Sequence, residues 1–276
     1  MTGHAFRYRA MDTTFKLRLR TEDAAFAEQL AGQAFAELKR LEGALSRFRP
    51  GSDISRINRL ANGETARVGV SAYECLQIAR RVWQDTRGAF DPTVGSRPSG
   101  RGMENLEIHE DRNAVTVHAD GLHVDLGGIG KGYALDAMAE LLAEWEAGPG
   151  LLHGGESTIL PLGRSPEEAW PVALRHPQHQ GEALVELRLR RRALSGSGVG
   201  LHGDHIVDPR TGQPGTRPAA WALAGSAAVA DALSTAFMVM KEHEVAQYCR
   251  EHPGAGAVLA QAGEAGLRLR RVGDWP

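Results

Sequence analysis

Between Phe15 and Leu45 the spacing of apolar residues changes once, and that change limits what the chain can fold into. Phe15, Leu17 and Leu19 alternate with Lys16, Arg18 and Arg20, the period of a strand buried on one face. From Thr21, the expected cap, Phe26, Leu30, Ala34, Leu38, Leu41 and Leu45 recur at three- and four-residue steps, the period of an amphipathic helix. A strand that opens the fold and a helix that covers it predict a sheet under helices. Further along, a helix is expected from Ser71, where Ser71 and Glu74 have capping-box spacing, to the stop at Gly88, with Leu76, Ala79, Val82 and Trp83 as its stripe. Strands follow at 105–109, 114–119 and 123–126, then a helix at Tyr133–Trp145. Strands at 171–174, 183–189 and 193–195, a helix over 228–240 and a hairpin of 256–261 with 267–272 complete the pattern. The reading is an α+β fold of mixed sheets with packed helices, a single unit over residues 1–276 with room for two lobes.

Composition narrows the function. Hydrophobic residues at 42% and charged residues at 24% exclude a disordered or collagen-like chain despite 33 glycines. A net charge of −2 supplies no global field for nucleic acid or an anionic membrane, and the run Arg188, Arg190, Arg191, Arg192 reads as a solvated strand face. Two cysteines, Cys75 and Cys249, make no disulfide framework and read as core. Cys249 and His252 supply half of a zinc spacing and no other half. No run of 18 apolar residues predicts membrane insertion, and residues 1–13 lack the zones of a signal peptide, so a cytoplasmic chain is expected.

Chemistry concentrates in a few places. Asp125-Leu-Gly-Gly-Ile-Gly-Lys-Gly-Tyr lies between a strand and a helix, where free backbone N–H groups and the helix dipole favour a phosphate. It is no P-loop, because Asp125 stands where that motif needs Gly and Gly132 where it needs Ser or Thr; Tyr133 likewise excludes G-x-G-x-x-G. Such a turn also serves close packing alone. Asp91-Pro and Asp208-Pro sit in tight loops, as turn starters or as site carboxylates. Asp231 lies inside an apolar helix with Thr235 one turn on, so it needs hydrogen bonds or a cation. A carboxylate and a hydroxyl at that spacing form half a site for Mg²⁺, and a helix cap is the competing role for Asp231. His205, just before Ile-Val-Asp-Pro, is either a base or one more satisfied histidine among 11.

Taken in order, Met11-Asp-Thr, Leu45-Ser-Arg-Phe-Arg-Pro-Gly-Ser-Asp-Ile-Ser-Arg-Ile-Asn58, Gly88-Ala-Phe-Asp-Pro-Thr-Val-Gly95, Asp125 to Asp136, Gly154-Gly-Glu156, Ser195-Gly196, His205-Ile-Val-Asp-Pro209 and Asp231-Ala-Leu-Ser-Thr235 resemble the ApbE family, the FAD:protein FMN transferases. The resemblance runs from Met11 to about Val258. It implies an ApbE-like, T-fold-related α+β fold and the transfer of FMN from FAD to a Thr or Ser hydroxyl of an acceptor protein, with Mg²⁺ as cofactor and AMP released. It further implies that Met11, Phe48, Ala89, Phe90, Asp91, Asp125, Lys131 and Ile206 contact FAD, and that Asp231, Thr235 and the Gly128 carbonyl hold the metal. His205 is then the base, with Asp231 beside it in the catalytic set. Alternatives are an FAD pyrophosphatase that gives FMN and AMP, and a non-catalytic FAD-binding protein.

Three departures from the family pattern stand out. Asp12 replaces the glycine of Met-Gly-Thr, Gly128 stands where Ala or Ser is usual, and the stretch from Gly95 to Asp125 is short, without the Pro-Leu and Trp-Gly-Phe region and its helix. The last bears on acceptor recognition.

Overall fold

The computed structural model describes residues 3–96, 102–163, 169–179, 181–199, 206–263 and 266–276. In chain order the elements are β1 (Gly3–Ala10), β2 (Thr13–Arg20), α1 (Ala24–Leu45), α2 (Asp53–Ile57), β3 (Thr65–Arg67), α3 (Val70–Asp85), β4 (Leu106–His109), β5 (Ala114–Val117) and α4 (Gly130–Glu144). There follow β6 (Gly150–Gly154), β7 (Thr158–Leu162), β8 (Trp170–Arg175), β9 (Ala183–Leu189), β10 (Ala193–Gly198), β11 (Ala219–Ala224), α5 (Ala227–Val239), α6 (Glu242–Glu251), β12 (Gly256–Gly263) and β13 (Gly266–Gly273). Eight strands make one sheet in the order β1-β2-β6-β7-β10-β11-β12-β13, every neighbouring pair antiparallel. β3-β5-β4 and β8-β9 form two smaller sheets.

The predicted opening pair is present, but β1 precedes it. Phe15, Leu17 and Leu19 are fully buried, as are Leu30, Ala34, Leu38 and Leu41 on the stripe of α1. The β1–β2 hairpin turns on Met11 and Asp12, which both have positive φ (48° and 57°). This is the mirror-image geometry that matches strand twist and normally calls on glycine. Asp tolerates it better than most side chains, which accounts for Asp12 at a glycine position.

Several boundaries differ from expectation for local reasons. The cap of α1 is Asp23, whose Oδ1 accepts from the Phe26 amide at 2.9 Å, while Thr21 Oγ1 only accepts from the Asp23 amide. Ser71 and Glu74 make no capping box: the helix starts at Val70, Ser71 Oγ accepts from Arg40, and Glu74 accepts from the Tyr133 hydroxyl at 2.7 Å. Asp53 takes the cap region instead, accepting from the Gly69 amide at 3.1 Å. Residues 123–126 are extended but not a strand, because their backbone groups are used elsewhere. The Asn58 side chain bonds both the Val124 amide and carbonyl, and the Asp125 amide donates to the Pro92 carbonyl.

The two faces of the large sheet are covered differently. One carries the helices, with α4 and α5 packed on each other and on β6, β7, β10 and β11. On the other, Val172, Leu174 and Leu189 of β8–β9 close an apolar patch with Leu194, Trp221, Leu223 and Val258. The β1–β2 end of that face stays open. Both cysteines are buried and unpaired. Among the described residues no helix is long and apolar enough to cross a membrane.

Candidate functional site

The glycine turn is built by its own side chains. Asp125 Oδ1 accepts from the Gly127 amide at 2.9 Å, and Lys131 Nζ returns to the Gly127 carbonyl at 3.1 Å. The turn feeds α4 at Gly130, three residues before the expected start. The amides of Gly127, Gly130 and Gly132 are already engaged, by Asp125, Leu126 and Asp231. What remains for an anion is the helix N-terminus with Lys131 beside it. Gly132 also sets the helix crossing. A Cβ there would run into the Ala227 carbonyl oxygen, so only glycine lets α4 and α5 approach this closely.

That crossing is also locked polar to polar. Asp136 of α4 accepts from Ser226 Oγ and from the Ala227 and Ala228 amides, each at 2.8 Å, so it closes the first turn of α5 from outside. Burial pushes the Asp136 carboxyl above its ordinary pKa, opposed by those three donors. Ser226 is the cap of α5, which removes the capping role considered for Asp231.

Asp231 is 3% exposed and is satisfied on both oxygens. Oδ1 accepts from Thr158 Oγ1 and Ser195 Oγ at 3.2 Å each, and Oδ2 accepts from the Gly132 amide at 3.1 Å and faces Lys131 Nζ at 3.4 Å. Hydroxyls continue outward from it: Ser234 Oγ donates to Ser195 Oγ, Ser197 Oγ lies 2.9 Å from Ser234 Oγ, and Thr235 Oγ1 lies 3.5 Å from Ser197 Oγ. Thr235 also meets Gly128, where an added Cβ would be 3.3 Å from both Thr235 Oγ1 and the Phe90 ring. Gly128 is thus the residue that fits this corner without pressure.

The rim is looser. Arg47 Nε pairs with Asp125 Oδ2 at 3.0 Å and its guanidinium stacks 4.1 Å from the centre of the Phe48 ring, which is 77% exposed. Ala89 and Phe90 are buried at 3%, so only the Phe90 edge reaches the site. Asp91 is turned into its own loop, accepting from the Thr93 amide, Thr93 Oγ1 and the Met103 amide, and burial raises its pKa against those bonds. Met11 donates its amide to Glu42 at 2.6 Å. Ile206 accepts from the Gly215 amide near the C-terminal end of α5. The structure therefore brings Gly128, Lys131, Asp231, Thr235, Phe90 and Asp125 together, joins Phe48 through Arg47, and engages Met11 with Glu42 and Ile206 with Gly215. His205 lies outside the described residues.

Sequence reasoning missed Thr158, Ser197 and Ser234. Single hydroxyls carry no spacing signal, and only the Ser195-Gly196 pair hinted at this wall. A family model described as the ApbE family matches residues 11–259. The chain belongs to the ApbE family. A protein of Klebsiella pneumoniae named FAD:protein FMN transferase is 25% identical over 93% of this chain and 84% of its own. One of the same name from Vibrio cholerae is 26% identical over 84% and 80%. Among solved structures, the Pseudomonas stutzeri flavinyl transferase ApbE in its apo form superimposes with TM-score 0.84 at 25% identity, over 98% of this chain and 94% of that one. The Thermotoga maritima ApbE protein gives 0.85 at 24%, over 98% and 97%. The expected α+β ApbE fold is therefore the fold of this chain.

Among the described residues no three His, Cys, Asp or Glu side chains form a metal cluster. A metal at Asp231 would meet one carboxylate and otherwise neutral oxygens. That donor set suits a hard ion such as Mg²⁺, whose shell is completed by phosphate and water. Thr235 Oγ1 fits the role, since its contacts to the Asp231 carbonyl and Ser197 Oγ are long, at 3.4 and 3.5 Å, and leave it lone pairs to offer.

Proposed function

We propose that this ApbE chain transfers FMN from FAD to a Ser or Thr hydroxyl of an acceptor protein. The observation that carries the reading is Asp231, a buried carboxylate held against the glycine turn and Lys131 with Thr235 alongside. It is supported by curated relatives that bear the name FAD:protein FMN transferase.

In the reaction the acceptor hydroxyl oxygen attacks the phosphorus on the FMN side of the pyrophosphate. The bond to the bridging oxygen breaks and AMP leaves with that oxygen. Such transfer depends mainly on positioning and charge neutralisation. Lys131 and the N-terminus of α4 face the phosphates, and Phe48 with Arg47 forms the open edge where a flat ring system can stack. Asp231 orients Lys131 and, with Thr235 and the Gly128 carbonyl, would hold Mg²⁺, which when bound offsets phosphate charge. His205 would take the hydroxyl proton.

The test is incubation with FAD, Mg²⁺ and a peptide carrying Asp-x-x-Ser/Thr-Gly-Ala-Thr, followed by mass spectrometry and AMP release. Peptide gaining FMN, matched by AMP, is the expected result. FMN and AMP without labelled peptide would make the chain a pyrophosphatase, and bound but intact FAD a binding protein.

A further inference from the structure

The β1–β2 hairpin presents one of its faces to solvent, and that face is cationic. Register pairs Arg7 with Lys16, Ala5 with Arg18 and Gly3 with Arg20, so Arg7, Arg9, Lys16, Arg18 and Arg20 lie on one side, opposite the buried Phe15, Leu17 and Leu19. Five positive charges thus occupy a strip about 20 Å long at about 3.3 Å per residue. Among the described residues the side chains of Arg7, Lys16 and Arg18 have no ion-pair or hydrogen-bond partner, while Arg20 stacks on Trp170 at 4.2 Å and Arg9 meets the exposed Asp12 at 3.7 Å. The β8–β9 layer closes the rest of this face and meets the strip at Trp170, where Arg20 stacks. These are five of the 32 Lys and Arg residues, gathered on one hairpin face of a chain whose net charge is −2.

One end of the strip opens into a depression of about 470 Å³ between Arg7, Arg9, Lys16, Asp12, Gly155 and Glu156. Gly155, with φ +66°, packs so closely on Thr13 that an added Cβ would lie 2.7 Å from its hydroxyl oxygen. Three residues on, Thr158 donates to Asp231. Thr158 shares the helix-side face with Phe15 through the Phe15–Gly154–Thr158 row, so the turn end of the strip and the candidate site lie at the same end of the sheet, on its opposite faces.

We propose that this strip docks an acidic segment of the acceptor protein, so that the acceptor hydroxyl reaches the site around the turn end of the hairpin. The proposal rests on the flavin-transfer reading above. Charge complementarity argues for an acidic partner, and a strip two strands wide fits one extended segment. A nucleic acid or a membrane would meet the remaining surface, whose net charge is negative, at the same time. His153 sits opposite Lys16 on the same face of the sheet. Burial, then Lys16 and Arg18, push its imidazole down to about 4, so it adds no charge of its own at neutral pH.

The experiment compares the full chain with the variant Arg7→Glu, Arg9→Glu, Arg18→Glu, all exposed positions, using Ser/Thr acceptor peptides extended by ten Glu or by ten Gln. The unmodified chain is expected to show a KM about tenfold lower for the Glu-extended peptide, a preference that falls with salt, and the variant is expected to lose that preference at unchanged kcat and FAD affinity. Equal KM values for the two peptides, or an unchanged preference in the variant, would overturn the proposal. Fluorescence anisotropy of the labelled Glu-extended peptide reads docking without turnover. Binding lost in the variant but no FMN transfer by the unmodified chain sustains the docking surface and rejects the transferase reading. Tighter, charge-dependent binding of a single-stranded oligonucleotide or of phosphatidylserine vesicles would reassign the strip to that partner and end the acidic-protein proposal. Melting temperature of the variant, expected within a few degrees of the parent, separates docking from loss of fold.

Discussion

The inner wall of the site and its rim are made of the same residue types under opposite conditions. Asp231 has four protein donors and almost no solvent, whereas Asp125, on the rim, is half open and shares its load between Arg47 and the Gly127 amide. The inner wall is fixed by backbone contact between α4 and α5, the rim by side chains that can turn. Inner residues should therefore govern fold and turnover, and rim residues affinity.

Gly132→Ala is the harshest challenge to that division. Its methyl would occupy the Ala227 carbonyl, so α5 must retreat, and a loss of about 3 kcal/mol or more is expected, read as a shifted urea midpoint. A variant as stable as the parent would show the crossing to be soft. Next comes Asp231→Asn. The Thr158 and Ser195 hydroxyls can reverse to accept from the amide, so the fold should survive, while kcat falls by about 10²- to 10³-fold as Lys131 loses its carboxylate partner and keeps only the Gly127 carbonyl. Full turnover across a range of Mg²⁺ concentrations would take Asp231 out of the chemistry.

A pH measurement sharpens the contrast on the hairpin side. The folded chain keeps His153 neutral down to about 4, whereas the unfolded chain protonates it near 6.5. Stability present above pH 6.5 is thus lost as the pH falls from 6.5 toward 4. Denaturant midpoints over that window should drop for the parent and stay flatter for His153→Gln, and identical slopes would contradict the assignment. On the rim, Asp125→Asn should cost under about 1 kcal/mol of stability, because its ion pair is solvated. Its effect should appear instead as weaker FAD binding in a fluorescence titration. The smallest change is a gain: Asp12→Gly relieves a positive φ worth about 1 to 2 kcal/mol and loses part of that to a freer unfolded chain, a net rise of about 0.5 kcal/mol in thermal unfolding.

The same division governs what could be read from the sequence. Asp231, Thr235 and the Asp125 turn were legible because a carboxylate inside an apolar helix and glycines at a strand-to-helix junction break local rules. The buried halves of the sheet were not. β11, Ala219–Ala224, is buried at every position and so has no alternation, and β6 begins at Gly150, the last residue of a Gly148-Pro-Gly150 run whose composition is that of a turn. In β1, Gly3 and Ala5 stand at the outward positions where polar residues would mark the period. Asp136 could be placed on a helix, but its clamp on the first turn of α5 spans some ninety residues, which no local pattern carries.

That clamp sets the order in which the molecule can be finished on the ribosome. The Asp125–Asp136 stretch emerges long before Ser226, Ala227 and Asp231, so for that interval Asp136 lacks its partners on α5 and the Gly132 amide lacks Asp231. A nascent chain short of α5 owns the glycine turn without the wall behind it, and the candidate site is complete only once α5 has emerged.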